Sequence, residues 1–192
     1  MSVTTSLSLI ARVRANDSSA WSRLATLYGP LVYRWARRTG LQPNDATDIV
    51  QDVFQSVWQG IGQFQLQSEK DSFRGWLWTI TRNEVRQYHR QRANRPVAQG
   101  GTEANQLLQL AAQWLDRQDE PEPQQTTIEL AQRALKLVQT DFEPRTWWAF
   151  WRTAIEGESS EVVATELGLT ANAVRQAKYR VLVRLRAELQ DQ

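Results

Sequence analysis

Apolar residues recur at spacings of three and four along most of this chain, and nowhere do they alternate over any length. That period belongs to helices that bury one face, and it does not suit a half-buried sheet. Trp21, Leu24, Leu27, Tyr28, Leu31, Val32 and Trp35 form one stripe, which Gly40 closes. Pro43-Asn44 opens the next helix, with Asn44 or Asp45 as its cap. Its apolar face is Ile49, Val50, Val53, Phe54, Val57, Trp58 and Ile61, and Gly62 ends it. Ser72 caps a further helix bearing Phe73, Trp76, Leu77 and Ile80. The predicted fold class is all-α.

A length of 192 residues suits one ordinary domain or two small ones, and the helix breakers favour two. Pro96 and Gly100-Gly101 end a basic segment, and Asp119-Glu-Pro-Glu-Pro123 is an acidic stretch that favours extended chain. The expected organisation is a helical domain over 1–95, an acidic linker over 96–125 and a second helical domain over 126–192. The linker is partly helical, because Leu107, Leu108, Leu110, Ala111, Trp114 and Leu115 keep helical spacing and would dock on a neighbour.

Charge follows the same division. Residues 1–100 carry a net +6, 101–143 a net −5 and 144–192 a net +1. Phe73 to Arg95 holds six arginines against one acid, Glu84, a density that suits phosphates better than a merely solvated face. Only three of the 23 basic residues are lysine (Lys70, Lys136, Lys178). Arginine offers bidentate bonding and stacking, although a compositional bias of the genome accounts for its excess equally well.

Several classes are excluded or disfavoured. There is no cysteine, and His89 is the single histidine, so thiolate and two-histidine metal sites are not expected. No apolar run reaches the ~20 residues a membrane span needs, and Met1 to Arg14 does not read as a signal peptide. A cytoplasmic protein is expected. No nucleophile–base set or phosphate loop is present, so neither enzymatic activity, with catalytic residues, nor a cofactor is expected.

Ser160 to Tyr179 carries the most specific pattern. With Ser160 as position one of a helix-turn-helix, the small slot is Ala164 and the turn glycine is Gly168. The apolar slots are Val163, Leu167, Leu169, Val174 and Ala177, so all seven demands are met. Thr170 caps the second helix. Asn172, Arg175, Gln176, Tyr179 and Arg180 point outward from it, and such side chains read guanine or adenine edges and hold phosphates. The apolar helix before it, with Trp147, Trp148, Phe150, Trp151 and Ile155, reads as its support.

Two further features precede this motif. Asp45-Ala-Thr-Asp48-Ile-Val-Gln51-Asp52-Val-Phe54 is an acidic, apolar helix. Phe73-Arg74-Gly-Trp76-Leu77-Trp78-Thr-Ile80-Thr-Arg82-Asn83, continued by Arg86, Gln87, Tyr88, His89, Arg90 and Arg92, interleaves aromatics with cations. That mixture suits single-stranded DNA, whose bases stack and whose phosphates pair. Trp76 reads as core. Trp78, on another face, is open between core and DNA.

In this order the features resemble the two-domain bacterial RNA polymerase sigma factors of the extracytoplasmic-function (ECF) group, over residues of about 20 to 95 and 140 to 188. The resemblance implies domains like sigma regions 2 and 4. It implies that Asp45, Asp48, Gln51, Asp52 and Phe54 bind the β′ clamp of core RNA polymerase. It implies that Arg74, Trp78, Arg82, Asn83, Arg86, Gln87 and Arg90 engage the promoter −10 element, with Asn83 where the family receives a flipped-out base. Thr170, Asn172, Arg175, Gln176, Tyr179 and Arg180 would engage the −35 element, and the linker would thread into the polymerase. An anti-sigma factor is a further implied partner.

The family's acidic motif usually has Glu where this chain has Thr47. The plain reading is tolerated variation. The sharper one is a phosphosite for a Ser/Thr kinase, whose product restores about −1.5 to −2 charge. The rival to the whole reading is a stand-alone helix-turn-helix regulator, which explains residues 140–190 but not the acidic and aromatic-basic helices. A helical adaptor or anti-sigma protein without DNA contacts would leave Arg175, Gln176 and Arg180 without a role.

Overall fold

The structure, a computed structural model, describes residues 8–65, 72–93, 111–117, 121 and 123–189. Among these residues all regular structure is helical: α1 (Leu9–Arg14), α2 (Ser18–Arg38), α3 (Pro43–Gly60), α4 (Phe73–Ala93), α5 (Pro123–Gln139), α6 (Pro144–Ala154), α7 (Ser160–Leu167) and α8 (Ala171–Leu189). Residues 111–115 form one further helical turn. The rest of the expected linker, including Pro96, Gly100-Gly101 and Leu107 to Leu110, lies outside the described residues.

The first four helices close over one core. Leu9, Ile10 and Val13 of α1, Leu24, Leu27, Leu31 and Trp35 of α2, Ile49, Val53 and Val57 of α3, and Phe73, Leu77, Trp78 and Val85 of α4 are all buried in it. The entry to α2 is set by Asp17, whose carboxylate accepts from Ser19 N at 2.9 Å and Ala20 N at 3.2 Å. Gly40 ends the same helix with φ +84°. The start of α3 differs from the expected Asn44 or Asp45 cap. Pro43 opens the helix and Gln42, at the cap position, makes no side-chain bond to it. Proline's preset φ starts the helix unaided, and Asp45 sits in the first turn, where the helix dipole favours an anion.

Trp58 also departs from expectation. The buried stripe of α3 runs Ala46, Ile49, Val53, Val57. The next residue is turned about 100° away by the helical period, so Trp58 stands 62% exposed.

The helix-turn-helix forms as its slots require. Val163, Ala164, Val174 and Ala177 share one small core with Ala149, and Gly168 makes the turn at φ +62°. Trp147 and Phe150 of α6 pack with Val138 and Val181 in the adjoining core. Trp148 and Ile155, expected there as support, instead face solvent, because α7 and α8 cover only one side of α6.

The two halves meet along α2. Leu130 and Ala134 of α5 complete the first core, with Leu185 and Leu189 of α8 packed against it. Charges ring this seam. Arg23 grips Asp141 through its two Nη atoms, at 3.0 and 2.9 Å, and its Nε lies 2.7 Å from Glu188. Arg184 bridges the same two acids, at 3.0 Å from Asp141 and 2.5 Å from Glu188. Arg34 pairs with Glu129 across the seam. The Glu188 side chain is 0% exposed, so its charge rests on two arginines that keep some contact with water. Removing it leaves Asp141 as the one acid between both arginines, and Glu188→Ala is expected to cost about 2 kcal/mol, the order of an interaction with a charged group. A denaturant melt measures this, and double mutation with Arg23→Ala should cost less than the sum.

Acid should loosen the same structure. Hydrogen bonds from Ser19 and Arg12 hold the Asp17 carboxyl below its ordinary range, Arg34 does the same for Glu129, and Arg152 for Glu158. A carboxylate with a lowered folded-state pKa stabilises fully above its unfolded value and loses that contribution as pH falls through its folded value. His89, whose pKa burial lowers, adds an earlier loss as the unfolded imidazole takes up a proton, so the melting temperature is expected to slip below about pH 6.5 and to fall more steeply below about 4, near the reference histidine and carboxylate values. Arg34→Gln should shallow that fall.

Candidate nucleic-acid interface

Three helices, α3, α4 and α8, carry the residues singled out by the sequence, most of them on exposed faces. On α3, Thr47, Asp48, Gln51 and Asp52 stand in solvent. Asp45 is half-buried and lies 3.6 Å from Arg92. Arg92 also donates to the Tyr88 hydroxyl at 2.6 Å, so the N-terminus of α3 is tied to the end of α4. Phe54 is half-buried and packs on the core, so whatever it offers a partner is the edge of a core side chain. Trp58, seven residues beyond Gln51, extends this face by two turns. Sequence reading assigned it to the core, although its spacing from Gln51 already put both on one side of the helix.

The face of α4 divides into stripes. Asn83, Gln87 and Arg90 are exposed together, four and three residues apart. Trp78, Arg82 and Arg86 form a neighbouring stripe, and residues 111–117 lie on it. Arg86 Nη2 donates to Leu115 O at 2.7 Å and Arg82 Nη1 to Arg117 O at 2.9 Å.

Trp78, open between core and DNA in the sequence, is enclosed here. It is 1% exposed, with Trp35 edge-on at 5.3 Å and Trp114 at 6.4 Å between ring centres. Its Nε1–H donates to Arg117 O at 3.4 Å, so the side chain is enclosed by α2 on one side and the linker turn on the other. Arg74 reaches Thr127 of α5 at 2.8 Å, on the seam between the halves. Trp76 packs at 4.9 Å from Phe64. His89 is half-buried, and burial lowers its pKa, which favours the neutral imidazole.

On α8, Thr170 Oγ1 accepts from Ala173 N at 3.1 Å, which fixes the N-terminus of the recognition helix. Asn172, Arg175, Gln176, Tyr179 and Arg180 are all exposed on it. Arg175 lies 3.5 Å from Glu161 of α7, a surface pair open to exchange for a phosphate or base. Two braces set the pitch of this unit against α6. Arg152 holds Glu158 at 2.6 and 2.5 Å and Glu166 at 2.7 Å, and Lys178 donates to Thr153 O at 3.2 Å. None of the described helices is long and apolar enough to cross a membrane.

The Sigma-70 region 2 family model matches residues 24–95, which spans α3 and α4 with most of α2. The chain is 31% identical to RNA polymerase sigma factor CnrH of Cupriavidus metallidurans over 184 residues, covering 94% of this chain and 92% of that protein. It is 30% identical to RNA polymerase sigma factor NccH of Alcaligenes xylosoxydans xylosoxydans, covering 95% and 94%. The solved structure of CnrH in complex with the cytosolic domain of CnrY aligns over 93% of each chain at 23% identity and a TM-score of 0.38. The helix that exposes Asp48, Gln51 and Asp52, the aromatic-basic helix after it and the helix-turn-helix thus occur together in a chain that belongs to the RNA polymerase sigma factors of the ECF type, proteins that initiate transcription.

Proposed function

We propose that the three faces divide promoter recognition and polymerase binding between them. Asp48, Gln51 and Asp52 of α3, flanked by Asp45, Phe54 and Trp58, meet the β′ clamp of core RNA polymerase. Asn83, Gln87 and Arg90, with Arg82 and Arg86 once these are freed, take the displaced strand of the −10 element. Asn172, Arg175, Gln176, Tyr179 and Arg180 dock at −35. The observation that carries this reading is that one chain exposes an acidic face, an amide-and-arginine face and a recognition helix on three different helices. A stand-alone regulator has use for the last alone.

The chain performs no chemistry itself; nucleotide addition belongs to the polymerase, and the protein works in the cytoplasm beside it. Base contacts on α8 set sequence preference, whereas arginines that meet only phosphates set register. The test is run-off transcription with purified core polymerase and the DNA upstream of the protein's own gene. Discrete transcripts that vanish with Asn83→Ala or Arg175→Ala support both DNA faces. Failure to co-elute with core polymerase would return the stand-alone regulator to first place.

Two regulators fit the reading. One is an anti-sigma protein. The other is a Ser/Thr kinase acting on Thr47, which is exposed and whose hydroxyl donates only locally, to Pro43 O at 3.0 Å. A phosphate there adds charge to the face that meets the basic clamp. Thr47→Glu is expected to raise run-off yield severalfold without any kinase, and an unchanged yield rejects the phosphosite.

A further inference from the structure

The linker turn occupies part of the face that the proposed function gives to single-stranded DNA. Leu115 and Ala111 are buried, Leu115 within the core of the first four helices. Trp114 lies edge-on to Trp78, with the guanidinium of Arg38 5.4 Å and that of Arg117 4.7 Å from its ring centre. The carbonyls of Leu115 and Arg117 take the hydrogen bonds of Arg86, Arg82 and Trp78. The Asp116 carboxylate lies 3.4 Å from the Arg86 guanidinium. The two carbonyl acceptors lie at the C-terminal end of the 111–115 turn, where carbonyls lack intrahelical partners and carry partial negative charge.

This is the chemistry of a short single strand. Oxygen acceptors and one carboxylate stand where phosphates would, and the Trp114 indole, packed edge-on against Trp78, pins the turn to the helix. We propose that residues 111–117 act as a self-mask, an intramolecular stand-in for DNA that holds Arg82 and Arg86 in the free protein and leaves α4 when the −10 strand is taken. The inference rests on the assignment of α4 to that strand. Tethering gives the mask its advantage. It is joined to α4 by residues 94–110, and a competitor on so short a connection acts at an effective concentration of about millimolar. A free strand at micromolar concentration competes poorly against it. Asn83, Gln87 and Arg90 stay uncovered, so the mask lowers affinity for DNA without abolishing it.

The test is the affinity of the free full-length protein for a fluorescein-labelled, mixed-sequence 12-nucleotide single-stranded DNA, read by anisotropy at low salt. The unmasked double variant Trp114→Ala/Leu115→Ser is expected to bind about tenfold tighter than wild type, and Trp114→Ala alone to fall between. Adding Arg82→Ala and Arg86→Ala should erase the gain, because those are the groups released. Circular dichroism melts confirm that each variant is folded. If the double variant does not fold, Trp114→Ala decides, since its side chain is only half-buried. Equal affinity in wild type and the folded unmasked variant overturns the mask, as does a gain that survives loss of both arginines. Run-off transcription separates this from the sigma-factor reading: wild-type transcripts with no gain on unmasking sink the mask alone, and no core binding sinks the assignment beneath it.

Discussion

Replacing Trp78 by alanine is expected to cost about 3–5 kcal/mol of stability, the range for deleting a large aromatic from a packed interior. The indole is enclosed between Trp35 of α2 and Trp114 of the linker turn. Its loss leaves a cavity where helices from both sides of the core meet, and their contacts with the missing ring are not replaced. It also removes a donor to the Arg117 carbonyl, so the linker turn should loosen with it. A surface tryptophan stacking on DNA would behave otherwise, with DNA binding falling and the melting temperature holding. Chemical denaturation of Trp78→Ala and Trp78→Phe separates the two. A core role predicts a large loss for alanine and a smaller one for phenylalanine, which refills much of the volume.

The second large effect is expected at the acidic face of α3. Asp48 and Asp52 lie one turn apart and exposed, with Gln51 between them. Reversing both charges, Asp48→Arg/Asp52→Arg, should weaken binding to core polymerase by more than 100-fold, because like charges across an interface cost several kcal/mol. Folding should change little, since neither side chain is buried. Trp58→Ala should weaken the same binding by less and leave the melting temperature unchanged, since the ring is already largely in water. Pull-down of core polymerase at graded salt measures all three. Charge reversal that leaves core binding intact would remove α3 from the polymerase interface.

Much of the fold was legible because the signals were local. The period of the apolar residues specified helices, and the seven slots from Val163 to Ala177 specified a helix-turn-helix with its glycine at positive φ. The outward residues of α8 followed, because a helix with a known buried stripe has a known opposite face. The same logic failed by one residue on α3. There Val57 and Trp58 are adjacent and both apolar, and only packing against α2 and α4 shows which of them the core accepts. On α6 it failed again: four large apolar residues compete for one buried side, and Trp148 is left outside.

Trp78 marks the limit most clearly. The residue lies in a basic, aromatic helix whose composition suits DNA, and composition does not distinguish an exposed ring from an enclosed one. Its neighbours Trp35 and Trp114 are 43 and 36 residues away in sequence. The occupation of Arg82 and Arg86 by linker carbonyls is hidden in the same way, since every residue carries a carbonyl and none is marked as an acceptor. Local sequence was enough to give helices throughout the described residues, the apolar stripe of most long helices and the place of the helix-turn-helix, all properties of residues within a turn or two of one another. The tertiary structure decided which apolar side chain wins a contested place in the core, how Arg23, Asp141, Arg184 and Glu188 close one half on the other, and which arginines of α4 are already engaged. Those depend on contacts between residues far apart in the chain, and local periodicity carries no information about them.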